Sequence, residues 1–266
     1  MEKQTNNNLG MIIASLGALL GIAGTLLLFV QWYDPVMVAE VAAGRPDEGL
    51  IVQYVFPVLS DIGVIAGVLW ALAAVGFGLR KSWAWTLGVI ANVLALQGSF
   101  FQMIPPVTRG LPPANALVFV PNLIFFVLML QVVRRLDWRV LAIGLLSGIA
   151  MVLSFMNGVA STDKMIVSGG AAIFVAVERL NWVAALGWGV FTVLLITKPT
   201  PSVRWIGFGA ALLELTAGLP LGIVTAIEAG SFSMFLPAPL LSLALLVALA
   251  LPLGRRILDS SQPATA

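Results

Sequence analysis

Eight apolar runs of about 20 residues, parted by short segments of charge, Pro or Gly, constrain this chain more than any other feature. They cover about 9–31, 56–79, 83–104, 115–133, 139–157, 173–197, 204–224 and 233–254. A hydrocarbon core of about 30 Å needs roughly 20 helical residues, so each run can cross it. Composition removes the soluble alternative. Hydrophobic residues make up 60%, charged residues 10%, and the mean hydropathy is +1.03. A soluble domain carries about 25% charged residues and needs them to cover its surface. The expectation is an all-α integral membrane protein of eight transmembrane helices, surrounded by membrane lipids. A net charge of +2 with dispersed Lys and Arg leaves no face for nucleic acid.

The first run follows a segment with a single Lys and lacks a small-residue cleavage site. It exceeds the length of a signal h-region, about 7–15 residues, and reads as a retained helix. With eight spans the termini share one side. That side collects Lys3, Arg80, Lys81, Arg134, Arg135, Arg139, Lys198, Arg204, Arg255 and Arg256. The other collects Arg45, Arg109 and Lys164, while Arg179 falls inside a run. This asymmetry places both termini in the cytoplasm, with the chain integral to the cell membrane. Trp83, Trp85, Trp138 and Trp205 each follow a basic residue on that side, at the level where amphipathic rings settle.

The second half of the chain repeats the first. "GALLGIA" (Gly17–Ala23) opens run one and "GLLSGIA" (Gly144–Ala150) opens run five. "SWAW" precedes run three and "SVRW" run seven. Gly98 answers Gly218, "VFVP" answers "MFLP", and "RRLD" at Arg134 answers "RRILD" at Arg255. Each half holds an even number of spans, so both enter the membrane from the same side. The expected domains are two tandem parallel four-helix repeats, 1–137 and 138–266, related about an axis along the membrane normal. A short outer-surface helix is expected after the first span of each. In the first it covers about 35–43, capped by Asp34 and closed by Gly44. In the second it is capped by Ser161 or Thr162 and stopped at Gly169. The paired prolines of "PPVTRGLPPAN" predict a rigid, extended outer loop. Gly17 and Gly21, like Gly144 and Gly148, lie one turn apart and suit close helix packing. Packing within the bundle outweighs use as a homodimer face.

Polar residues inside spans locate function in membrane proteins. Asp61 and Glu178 fall near the outer ends of their runs, the latter beside Arg179 and Asn181. They read as interfacial acids with local pairing, or as a paired outer vestibule. Glu214 lies about 14 Å along its helix from Trp205, near the middle of the core. Its face carries Gly207, Ala211, Glu214 and Gly218. Run three carries a related stripe of Gly88, Asn92, Ala95, Ser99 and Gln102, and the two stripes are expected to line a shared, weakly polar interior. Glu214 is either packing glue or a ligand or proton site, with Asn92 and Gln102 opposite.

Several chemistries are excluded outright. Without Cys or His there is no thiolate, imidazole or haem-ligand chemistry, and no metal or cofactor is expected. Asp61 is the one Asp within a run, too few for an aspartyl dyad, so the chain does not read as an enzyme. It reads first as a non-catalytic subunit or scaffold that packs against lipids and membrane partners. The alternative is a transporter or channel for a small or lipophilic substrate, with Glu214 as its coupling group. The orientation can be tested directly, because no native Cys gives background. A cysteine at Ser82 is expected to resist an impermeant reagent in intact cells and to react after permeabilisation. Labelling in intact cells overturns the eight-span topology.

Overall fold

The computed structural model describes residues 5–44 and 46–251. Lys3, Arg45, Arg255, Arg256 and the closing Arg255–Asp259 motif lie outside the described residues. Every regular element described is helical. Seven helices are long and apolar enough to cross a membrane: Asn7–Ala42, Gly49–Gly78, Ala84–Thr108, Ala116–Val133, Trp138–Ile166, Ala172–Thr197 and Val203–Ile227. A further apolar helix, Pro237–Ala250, is shorter. The lengths and composition mark a membrane-embedded, all-helical protein.

The chain forms two compact units, Met1–Leu136 and Asp137–Ala266. In the first unit α1 (Asn7–Leu19) passes through a π-helical turn (Leu20–Gly24) into α2 (Thr25–Ala42). Then come α3 (Pro46–Gly78), α4 (Ala84–Phe101), the short α5 (Ile104–Thr108), and α6 (Ala116–Leu128), which ends in a second π turn (Met129–Val133). The second unit holds α7 (Trp138–Val167), α8 (Ala172–Thr197), α9 (Val203–Ala229) and α10 (Pro237–Ala250). In each unit consecutive helices pack together and the last returns to the first.

The glycine motif does its packing in the first unit. A Cβ on Gly21 would stand 2.5 Å from Gly67 Cα, and one on Gly17 2.7 Å from the buried Trp70 ring. Thr25 fills the next turn, against Gly63. Backbone therefore lies on backbone where the π turn meets α3, which suits lipid, where dispersion replaces the hydrophobic effect between helices. The second copy is used differently. A Cβ on Gly144 would stand 3.2 Å from Ile196, and one on Gly148 would meet nothing within 4 Å. Close approach there falls between α8 and α9, where a Cβ on Gly187 would stand 2.9 Å from Ala210 Cβ.

Three expectations need correction. The short helix at about 35–43 is not separate, because Pro35 lies inside α2. Pro costs a helix one hydrogen bond without dictating a break. The extension is also anchored by Glu40, which is buried and paired with Arg109 at 2.8 Å. The corresponding helix in the second half is likewise continuous with α7. Ser161 and Thr162 do not cap it, since their hydroxyls donate back to the carbonyls of Asn157 and Gly158, one turn earlier. The helix stops at Gly169 (φ 68°), as Gly44 (φ 71°) ends α2. Second, the prolines at 105 and 106 open α5 instead of an extended loop, since a first helical turn needs no N–H from them. Third, Trp85 is not an interface residue. Trp83, Trp138 and Trp205 are 46%, 68% and 64% exposed, but Trp85 is 2% exposed. Its indole N–H donates to Met129 O at 3.1 Å, where the second π turn begins.

These contacts give opposite outcomes for one substitution at two copies of one motif. Gly21→Ala is expected to destabilise the folded protein by about 1–3 kcal/mol through overpacking. Gly148→Ala is expected to be neutral or to stabilise by up to about 1 kcal/mol through helix propensity. Thermal unfolding in detergent compares them, and equal losses would refute this packing assignment.

Candidate functional site

Helix α9 carries Gly207, Ala211, Glu214 and Gly218 on one face, and that face points into the second unit. Gly207 approaches Phe191 and Leu249, and Ala211 and Glu214 are fully buried. Gly218 makes room for the acid. A Cβ there would collide with Glu214 Oε1 and stand 3.0 Å from Asn157 Nδ2.

The carboxyl heads a polar ladder. Asn157 Nδ2, on α7, donates to Glu214 Oε1 at 2.8 Å and to Phe235 O at 3.0 Å. Ser161 Oγ donates to Asn157 O at 2.6 Å, and Asn181 Nδ2, on α8, donates to Ser161 Oγ at 3.2 Å. The ladder thus ties α7, α8 and α9 to the connection that leads into α10. It is not fully satisfied. Asn181 Oδ1 is buried without a hydrogen-bond partner, and Glu214 Oε2 and Ser154 Oγ have none but each other. Ser154 lies three residues before Asn157 on α7 and sits beside the carboxyl.

The α4 stripe of the first unit is buried too and contains no acid. Asn92 Nδ2 donates to Asn122 O at 3.1 Å, and Asn122 Nδ2 to Val118 O at 2.9 Å. Gln102 lines a cavity of about 10 Å³ with Thr25, Ser99 and Asn115, room for about one water. The hydrogen bonds described for each stripe lie inside its own unit. Asp61 is exposed on α3. Glu178 accepts from Thr162 Oγ1 at 3.1 Å and pairs with Arg179 Nε at 3.4 Å.

Sequence reasoning missed two features. Glu40–Arg109 spans 69 residues, and nothing local signals it. The α7 side of the ladder was detectable, because Ser147, Ser154, Asn157 and Ser161 recur at helical spacing and all are buried. Chemically, the site offers one carboxyl beside two neutral side chains, Asn157 and Ser154, which suits a structural tie or exchange of a proton. Among the described residues, no three of His, Cys, Asp and Glu gather to hold a metal.

The fold and site define the protein as a membrane-embedded helical protein with a buried carboxyl–amide ladder. No protein-family model, curated protein or solved structure matches the chain.

The ladder predicts non-additive mutations. Asn157→Leu strips Glu214 Oε1 and Phe235 O of their donor and is expected to cost about 1–3 kcal/mol. Glu214→Leu is expected to cost less, because Asn157 keeps Phe235 O. The double variant should be more stable than the sum of the two losses implies, since it leaves Phe235 O without its donor but no buried carboxyl oxygen as well. Denaturation of all four proteins in detergent gives the cycle. Simple additivity would show that the carboxyl and amide do not act as a unit.

Proposed function

We propose that the protein is a non-catalytic polytopic membrane protein that serves as a subunit or scaffold of a membrane complex. The reading extends to eight spans as two parallel four-helix repeats, with both termini cytoplasmic in the cell membrane. One observation carries it: Glu214 is shut into the packing between α7 and α9, where Asn157 holds it and Gly218 makes space for it. A carboxyl in that setting joins helices. The surface left over is apolar, suited to lipids and to the helices of partners.

A second reading has one observation in its favour. Glu214 Oε2 and Ser154 Oγ lie together in one buried place, with no partner but each other. An acid with a spare oxygen beside a hydroxyl is the arrangement of a proton-exchanging site in a transporter or channel.

Glu214→Gln separates the two. The glutamine keeps an acceptor for Asn157 and puts an N–H beside Ser154 Oγ, but it cannot titrate. On the scaffold reading it retains or gains thermal stability, and any proton or solute flux in proteoliposomes equals that of wild type. Loss of a pH-linked flux in a stable Gln variant would overturn the scaffold reading and establish the transporter.

A further inference from the structure

One face of α3 remains uncovered after the helix has packed. Its opposite side, with Leu59, Ala66, Trp70 and Phe77, is buried. Over 54–75 every exposed residue of this helix follows steps of four and three, beginning at Tyr54, and Leu79 continues the series. The apolar members are 47–66% exposed. Such steps average about 3.5 residues, the period of a seam between two helices that cross in a left-handed sense. Toward the Arg80 end Val68 and Val75 form one row, and Leu72 and Leu79 form the other. β-Branched residues in the first row and Leu in the second favour two parallel strands.

Asp61 falls in the first of these rows and is exposed like its neighbours. Lipid accounts for the apolar residues of the face but not for this carboxyl. Tyr54 and Arg80 stand about 39 Å apart along the helix axis, close to the thickness of a bilayer with its headgroups, about 40–45 Å. Asp61 lies about 10 Å in from Tyr54, beyond a headgroup layer of about 5–7 Å. A single methylene carries its carboxyl, so it cannot reach back to the interface as Lys and Arg do. No described residue gives Asp61 a hydrogen bond or an ion pair.

We propose that this face pairs with the same face of a second copy of the chain, in a parallel dimer tied by the two Asp61 carboxyls. A copy in the same bilayer has the same orientation, so a two-fold axis along the membrane normal sets each seam residue against its own counterpart. Asp61 therefore meets Asp61 at one height. A protonated carboxyl both donates and accepts, so each supplies what the other lacks. Hydrocarbon offers that group nothing else, which is why polar side chains tie helices together in lipid. The face of Gly17 and Gly21 is already covered by α3, so the dimer does not use it. The proposal needs membrane embedding alone and does not rest on the scaffold reading.

The test reconstitutes the full-length chain, labelled at an introduced Ser82→Cys, in phosphatidylcholine vesicles. Energy transfer between copies is followed as the protein-to-lipid ratio rises. The chain with native Asp61 should dimerise over this titration. Asp61→Leu should need about tenfold more protein per lipid for half-dimerisation. Asp61→Asn, which keeps a donor and an acceptor, should stay within about threefold of the native residue. Both variants should unfold in dilute detergent at the temperature of wild type, because the residue lies on an exposed face. Without the label, Val68→Cys and Leu72→Cys should form disulfide-linked dimers on oxidation. Leu27→Cys and Leu117→Cys, at exposed positions of α2 and α6, should not. A chain that stays monomeric at every ratio would overturn the proposal and leave the face to lipid or to a different protein. So would an Asp61→Leu variant that loses nothing, or an Asp61→Asn variant that loses as much as Asp61→Leu. Cross-linking at Leu27 and Leu117 as fast as at the seam would overturn it as well.

Discussion

Hydrocarbon has no water to offer a polar group, and this constraint shapes every part of the molecule. Main-chain groups meet it by forming helices. Side-chain groups meet it only if a partner lies on a neighbouring helix at the right height. Asn157 shows how demanding that is. Its single amide nitrogen serves a carboxyl on α9 and a carbonyl in the next connection, while its own carbonyl takes a hydroxyl one turn on. Three segments are positioned by one residue. Trp188 Nε1 on Ser242 Oγ at 3.1 Å and Ser147 Oγ with Thr192 Oγ1 at 2.8 Å apply the same rule elsewhere in that unit.

What could be read from the chain follows from the range of each interaction. Hydrophobic length is local, so the apolar runs anticipated the long helices well. The ends failed where a distant contact intervened. Pro35 looked like a helix start because Pro suits that place, yet Glu40 is held by Arg109 far along the chain, and the helix runs on past Pro35. Helical spacing identified Glu214 and the α4 stripe as inward-facing, since periodicity fixes a face. It could not name Asn157, because the partner across a helix pair depends on crossing geometry. Ser161 and Thr162 were ambiguous on physical grounds. The same hydroxyl that caps a helix start can bond back to a carbonyl within a helix.

The two copies of Gly-x-x-x-Gly-Ile-Ala sharpen that point. Identical residues meet Trp70 and Gly67 in one unit, but Ile196 and open space in the other. A small residue permits close approach without compelling it. The partner must be small as well, and Gly63 and Gly67 supply this on α3, whereas Ile196 does not on α8. The π turn at Leu20–Gly24 belongs to the same contact, because it occupies the stretch of helix that lies against α3.

The units also differ in what their interiors can do. Asn92, Gln97 and Asn122 leave buried amide atoms unpartnered in the first unit, and these atoms have no second charge state to adopt. Their cost is fixed unless a water or ligand reaches them. In the second unit one such atom belongs to a carboxyl. Gaining a proton turns that oxygen from acceptor to donor and losing it reverses the change, and Ser154 Oγ beside it can take either role because a hydroxyl both gives and accepts. The ladder through Asn157, Ser161 and Asn181 would then be offered a different first member with the backbone unchanged. Glu40 of the first unit is tied up in its ion pair with Arg109, so the buried carboxyl whose hydrogen-bond partners are all neutral is Glu214 of the second.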